Sequence, residues 1–168
     1  LFISPDEIGL GKRESIADIA RVLSGYVQGI MARVFEHEQI LELAKWAEVP
    51  VINGLSDYNH PCQAMADILT IKENFGKLQG LNVTFVGDGN NVAVSLLHIC
   101  AKLGLNFSIA SPEGYDICPN AIALAQKFAA ASNSQIHFYR NPHEAVVNAD
   151  VIYTDTWTSM GQEEESQK

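Results

Sequence analysis

The chain has 168 residues, of which 47% are apolar and 18% are charged, so it can bury a core and has the composition of a globular protein. Its formal net charge of −9 argues against a nucleic-acid partner, because phosphate backbones are bound by concentrated Lys and Arg. No apolar run reaches the roughly 18 residues of a membrane span, so we expect no membrane partner. Three cysteines without C-x-x-C spacing are typical of free thiols in a reducing cytoplasm.

The first half of the chain predicts three helices and two short strands. Apolar residues at helical spacing predict a helix over 16–27, closed by Gly29, and a second helix over 36–49. Short apolar runs predict strands at 30–35 and 50–54. Pro61 then begins a helix that runs to about residue 74, since proline favours the first helical position.

The second half alternates regularly between strands and helices. Strands are predicted at 83–87, 107–111, 136–139 and 151–154, and helices at 91–103, 119–131 and 142–149. Such alternation implies parallel sheets covered by helices on both faces. The pattern breaks at 75–82, where we place a domain boundary. We therefore predict an α/β fold with two parallel-sheet, doubly wound, Rossmann-like domains, residues 1–78 and 79–168, both incomplete.

Open α/β sheets bind ligands beyond the carboxyl ends of their strands, and unusual polar residues fall at four such ends. The first is Arg33, in an otherwise apolar strand. A buried guanidinium is costly unless an anion pairs with it, which indicates an anionic ligand. The alternative is an edge-strand arginine, or one paired with a structural carboxylate such as Glu36.

The second group is His60 and Gln63, at the start of the helix that Pro61 begins. Their side chains would converge beside free backbone N–H groups and the positive end of the helix dipole, which suits an anion. Glutamine offers an acceptor as well as donors, so the pair can hold a carbonyl group bearing an amine. The alternative is an ordinary helix start with a solvated glutamine.

The remaining groups are the turn "VGDGNNVAVS" (86–95) and the loop "YTDTWTSMGQE" (153–163). The turn is similar to the dinucleotide fingerprint G-x-G-x-x-G, but Val92 replaces the third glycine and Asp88 would repel a pyrophosphate. Its asparagines suit a polar small molecule, or merely cap a helix. In the loop, Asp155 would hold an ammonium group and Ser159 a carboxylate. The alternative has Trp157 and Met160 packing under the sheet.

In this order, "MARVFEH", "HPCQ", "GDGNN" and "DTWTSMGQE" resemble the aspartate/ornithine carbamoyltransferase family over essentially the whole chain. The D-x-W-x-S-M-G-x-E pattern is the specific one, and it indicates ornithine as the amine. The family's S-T-R-T-R and H-C-L-P motifs are missing from the sequence. We therefore expect the chain to be the middle of a longer enzyme and to be inactive by itself.

The resemblance implies a partial carbamoyl-phosphate-binding domain (1–78) and a partial ornithine-binding domain (79–168). The expected catalytic residues, which would also contact carbamoyl phosphate, are Arg33, His60 and Gln63. The residues expected to contact L-ornithine are Asn91, Asp155, Ser159 and Met160. The resemblance further implies a cytoplasmic homotrimer of arginine biosynthesis that needs no metal or organic cofactor.

Two other functions stay open from the sequence. One is a carbamoyltransferase that uses putrescine or another amine, which would leave the loop after Asp155 with no carboxylate to bind. The other is a non-catalytic nucleotide-binding module built around "GDGNN", against which Val92 and Asp88 argue.

Overall fold

A computed structural model of the chain describes residues 1–156, apart from the side chains of residues 5 and 6. The chain divides into two compact units after Tyr58. The α/β prediction with parallel strands is confirmed in both units. None of the helices in this described range is long and apolar enough to cross a membrane.

The first unit, residues 1–58, is built on a two-stranded parallel sheet. Its elements are α1 (Pro5–Ile8), α2 (Ile16–Ser24), β1 (Ile30–Arg33), α3 (His37–Trp46) and β2 (Val51–Leu55). The side chain of Ser15 caps α2 by accepting a hydrogen bond from the backbone N–H of Asp18 at 3.1 Å. Buried Ile16 and Ala20 of α2 then pack with Leu43 of α3 to form the core of the unit.

Three predicted boundaries in this unit are wrong. Helix α2 ends at Ser24 with Gly25 as its cap, not at Gly29, because the chain must turn before it pairs with β2. Helix α3 covers residues 37–46 rather than 36–49. Strand β1 ends at Arg33 rather than at residue 35, after an irregularity between Ala32 and Arg33 that shifts its register against β2.

The second unit, residues 59–168, is described as far as residue 156 and contains a four-stranded parallel sheet. Its elements are α4 (Pro61–Phe75), β3 (Asn82–Val86), α5 (Asn91–Leu103), β4 (Asn106–Ala110), α6 (Pro119–Ser132), β5 (Ile136–Tyr139), α7 (Pro142–Ala145) and β6 (Val151–Thr154). The strand order is β5-β4-β3-β6. The chain therefore moves outward from β3 to β5 and then returns to place β6 on the other side of β3.

Apolar side chains of β3 and α5 form the core of this unit, with Phe85, Leu96 and Leu97 fully buried. Helix α7 covers only 142–145 instead of the predicted 142–149, and Asn148 just beyond it has a left-handed backbone with φ of 63°. Helix α4 belongs to the same compact unit as the second sheet. The described structure therefore divides after residue 58, before α4, and not after it. The domain boundary near residue 78 stays a prediction about the complete protein.

Candidate functional site

The switch in strand order places the carboxyl ends of β3 and β6 side by side. Val86 and Thr154 are register partners at the ends of these two parallel strands. The loops that follow contain Asp88 and Asn90 on one side and Asp155 on the other. Such a switch point is where open α/β sheets form a ligand-binding crevice, so these polar groups lie at the expected edge of the sheet.

Asn90 connects the two loops and also caps helix α5. Its side-chain oxygen accepts hydrogen bonds from the backbone N–H groups of Val92 and Ala93, both at 3.0 Å. Its amide nitrogen donates to Asp155 Oδ2 at 2.8 Å and, more weakly, to Asp88 Oδ1 at 3.4 Å. The first amides of α5 are thus occupied by a side chain of the protein, which leaves them unsuited to a pyrophosphate.

The carboxylate of Asp155 is half-buried and held at both oxygens. Oδ2 accepts from Asn90, while Oδ1 accepts from the backbone N–H of Thr156 at 2.7 Å. An anion fixed in this way at the end of β6 is suited to bind an ammonium group, because its orientation is set before the ligand arrives.

A loop between β4 and α6 packs directly over Gly89. The N–H of Gly89 donates to the carbonyl of Tyr115 at 2.7 Å, and a Cβ atom at this glycine would overlap the backbone of Asp116 and Ile117. Arg140 holds the loop through two bonds to the Asp116 carboxylate, at 2.7 and 2.9 Å. These bonds lower the pKa of Asp116 and raise that of Arg140. A glycine is therefore required in this turn for packing.

The start of helix α4 is anchored to helix α5. The backbone N–H of His60 donates to Ser95 Oγ at 2.7 Å, and Ser95 Oγ donates to the carbonyl of Asn91 at 2.8 Å. His60 occupies the N-cap and Pro61 the first helical position. Within the described residues, the His60 side chain makes no capping bond to the first turn. In contrast to α5, the amino end of α4 is therefore not closed by its own cap residue.

Gln63 contacts two residues that the sequence analysis did not single out. Its Nε2 donates to Asp67 Oδ1 at 2.9 Å, one helical turn further along α4. Tyr153, from β6, lies close enough to influence the ionisation of Asp67, whose second oxygen, Oδ2, is buried and accepts no hydrogen bond within the described residues. Burial raises the pKa of Asp67, against the lowering effects of its bond to Gln63 and of the nearby Tyr153. Burial, followed by the charges of Asp67 and Asp155, raises the pKa of Tyr153 to about 12.

Arg33 lies at the end of β1 in the first unit, and its side chain is exposed. The premise of a buried guanidinium is therefore wrong for this chain, and no desolvation cost forces it to pair. Among the side chains that the structure describes, it forms no ion pair with a carboxylate of the first unit, including Glu36. Nearby, His37 Nδ1 lies 2.9 Å from Ser56 Oγ, which is fully buried.

The predicted site residues thus fall into three groups. Asn91 begins α5, beside the pair formed by Asn90 and Asp155, and His60 and Gln63 begin α4. Arg33 belongs to the other unit. Ser159 and Met160 lie outside the described residues.

The spacing of four residues between Gln63 and Asp67 was the sequence signal available for Asp67, while no sequence signal pointed to Tyr153. Among the side chains described by the structure, no cluster of three His, Cys, Asp or Glu residues is arranged to hold a metal ion.

Two sequence-family models match the chain in succession. The model described as "Aspartate/ornithine carbamoyltransferase, carbamoyl-P binding domain" matches residues 1–73, and "Aspartate/ornithine carbamoyltransferase, Asp/Orn binding domain" matches residues 79–168. The chain belongs to the aspartate/ornithine carbamoyltransferase family. The resemblance found in its motifs is confirmed.

Similar proteins carry the name ornithine carbamoyltransferase. The Bacillus subtilis protein of that name is 56% identical over 168 residues, which is 100% of this chain and 53% of the relative. The Thermococcus kodakarensis protein is 54% identical with the same coverage. The solved structure of ornithine carbamoyltransferase from Pyrococcus furiosus is 51% identical, with a TM-score of 0.94 over 99% of this chain and 53% of the other. This chain spans about half the length of the curated relatives it matches.

Proposed function

We propose that this chain, within a complete carbamoyltransferase, contributes to transfer of the carbamoyl group from carbamoyl phosphate to the δ-amine of L-ornithine, giving citrulline and phosphate. The observation that carries the proposal is Asp155, held at the switch point by Asn90 at 2.8 Å. It begins the D-x-W-x-S-M-G-x-E segment, which indicated ornithine. The names of the similar proteins support the same substrate.

In the proposed reaction, the neutral δ-amine attacks the carbamoyl carbon. A C–N bond forms, the C–O bond to phosphate breaks, phosphate takes the electron pair, and the amine releases a proton. Arg33 and His60 stabilise the charge that develops on the carbonyl oxygen, which is usually the largest catalytic term. Gln63 orients the carbamoyl –NH₂. Much of the acceleration comes from positioning the amine and the carbonyl carbon for attack.

The ornithine end is assigned to Asn91, Asp155, Ser159 and Met160. The fixed carboxylate of Asp155 supports this assignment, because an ammonium group is the complementary partner for it. The proposal also includes assembly as a cytoplasmic homotrimer, a role in arginine biosynthesis and the division into domains 1–78 and 79–168. No metal or organic cofactor takes part in it.

The test replaces Asp155 by Asn in a complete enzyme that contains this chain. The amide keeps the shape, but its single oxygen can accept from only one of the two donors, Asn90 or the backbone N–H of Thr156, so the charge and one hydrogen bond are lost. Hydrogen bonds to charged groups contribute about 1.5–3 kcal/mol, so the KM for ornithine should rise by at least roughly tenfold. Asp150→Asn is the matched control, because Asp150 precedes β6 and bonds Asn82 at the opposite edge of the sheet. Equal effects of the two substitutions would contradict the assignment.

The same enzyme distinguishes the other functions. Faster carbamoylation of putrescine than of ornithine would move the assignment to a different amine. Binding of a nucleotide at micromolar concentration would support the nucleotide-binding module, against which the capped amino end of α5 argues. We expect the 168-residue chain alone to be inactive, since its sequence contains no S-T-R-T-R segment. Citrulline formation by the purified chain would contradict that expectation.

A further inference from the structure

Asp67 and Tyr153 form a small polar network behind Gln63. The amide nitrogen of Gln63 donates to Asp67 Oδ1 at 2.9 Å, and the nearby Tyr153 side chain is electrostatically coupled to both residues. The ring of Tyr153 is itself held, because it stacks on buried Phe85 with ring centroids 5.5 Å apart and an interplanar angle of 17°. The network therefore joins α4 to the last strand of the sheet.

This network determines which end of the Gln63 amide is left for a ligand. An ionised carboxylate only accepts hydrogen bonds, whereas a glutamine amide has a donor end and an acceptor end. Pairing with Asp67 therefore requires the –NH₂ end of Gln63 to point toward Asp67. The oxygen Oε1 is then the end that remains available, and it can only accept.

The two ends of the network also lie in different family domains. Gln63 and Asp67 fall within residues 1–73, matched by the carbamoyl-phosphate domain, whereas Tyr153 falls within residues 79–168. Tyr153 lies in β6, two residues before Asp155, which directly follows that strand. A side chain from the strand that precedes the proposed ornithine carboxylate thus lies beside a residue proposed to contact carbamoyl phosphate.

We propose that Asp67 is a positioning residue that orients the Gln63 amide so that Oε1 accepts a hydrogen bond from the carbamoyl –NH₂. In this way Asp67 sets the preference for a carbamoyl group over an acyl group of the same shape that has no N–H. The inference rests on the proposed function, since it assumes that Gln63 contacts carbamoyl phosphate. Asp67 itself does not touch the substrate.

The test compares two stable analogues of carbamoyl phosphate in the complete enzyme. Phosphonoacetamide carries the –NH₂ group, and acetonylphosphonate replaces it by a methyl group of similar size. Their ratio of dissociation constants isolates the contact with the –NH₂ group, because a general distortion of the site would weaken both ligands. One neutral hydrogen bond corresponds to a preference of about 2- to 13-fold for the amide.

The wild-type enzyme should show this preference, and Gln63→Ala should reduce it to about one. Asp67→Ala should reduce it equally, with binding of inorganic phosphate unchanged, and should add nothing further in the Gln63→Ala background. Asp67→Asn should retain part of the preference, because an asparagine accepts from Gln63 in only one of its two amide orientations. Tyr153→Phe should also lower the preference for the amide. If Asp67→Ala does not fold, Tyr153→Phe and Asp67→Asn together replace it as the test. Glu73→Gln, on the exposed side of the same helix, is the control and should leave the ratio unchanged.

The outcomes separate this inference from the proposed function. A wild-type ratio in Asp67→Ala, or in both Asp67→Asn and Tyr153→Phe, would overturn the role of Asp67. A ratio of one in a wild-type enzyme that still makes citrulline would do the same and leave carbamoyl transfer intact. A complete enzyme that binds neither analogue and makes no citrulline would instead refute the proposed function.

Discussion

Replacement of Asn90 separates two roles that one side chain performs. Its oxygen caps α5 by accepting from Val92 and Ala93, and its nitrogen bonds the carboxylate of Asp155. Asn90→Ala removes both functions. Asn90→Ser keeps a good capping oxygen but is too short to reach Asp155 at the same time. The two variants should therefore differ in stability while sharing a defect in ornithine binding.

The expected magnitudes follow from these contacts. Loss of an N-cap costs typically about 1 kcal/mol, within a range of roughly 0.5–2 kcal/mol, and Asn90→Ala should lose this amount in addition to the contribution of the bond to Asp155. Asn90→Ser keeps a preferred cap and loses only the bond to Asp155, so it should be more stable than Asn90→Ala by about that amount. The bond to Asp155 is charge-assisted but only half-buried, so we take the lower end of the range, about 1.5 kcal/mol. That loss corresponds to roughly a tenfold higher KM for ornithine in both variants.

Two measurements check this reasoning. Denaturant unfolding, with hydrogen exchange at the amides of residues 92 and 93, reports the cap, and steady-state kinetics of the complete enzyme report ornithine binding. Faster exchange at these amides in Asn90→Ala alone would support the cap assignment. The reasoning is refuted if Asn90→Ser is as unstable as Asn90→Ala, or if Asn90→Ser leaves the KM for ornithine unchanged.

Three further predictions concern the rest of the second unit. Gly89→Ala should cost about 1–3 kcal/mol in unfolding experiments, because the added Cβ overlaps the backbone of the loop after β4; a wild-type midpoint would contradict this packing. Burial lowers the pKa of His98, so the folded state favours the neutral imidazole. The contribution of His98 to the free energy of unfolding should therefore be full above pH 6.5 and fall as the pH drops below that value. His98→Gln should flatten this part of the pH–stability curve. Cys100 is fully buried, which raises the pKa of its thiol, whereas Cys62 and Cys118 are exposed. A thiol reagent should therefore label Cys62 and Cys118 in the folded chain and all three cysteines after unfolding. Rapid labelling of Cys100 in the folded chain would contradict the packing of α5.

Local patterns in the sequence were enough for most of the second unit. The predicted strand at 136–139 and helix at 91–103 agree with β5 and α5. Both elements could be predicted because apolar periodicity sets the type of element, and glycine or proline residues mark where it begins or ends. The same logic failed at the end of α2 and in α7. In α7 the backbone leaves the helix before Asn148, whose left-handed conformation the apolar pattern did not indicate.

The family, the α/β class and the choice of His60, Gln63 and Asp155 as candidates could be read from residue order alone. The strand order could not, because pairing between strands depends on which side of β3 the returning chain packs. That choice brings Asn90 within 2.8 Å of Asp155, 65 positions away in sequence, and brings Tyr153 to Asp67. Periodicity describes only which face of an element is buried, so contacts between distant polar groups were decided by the tertiary structure.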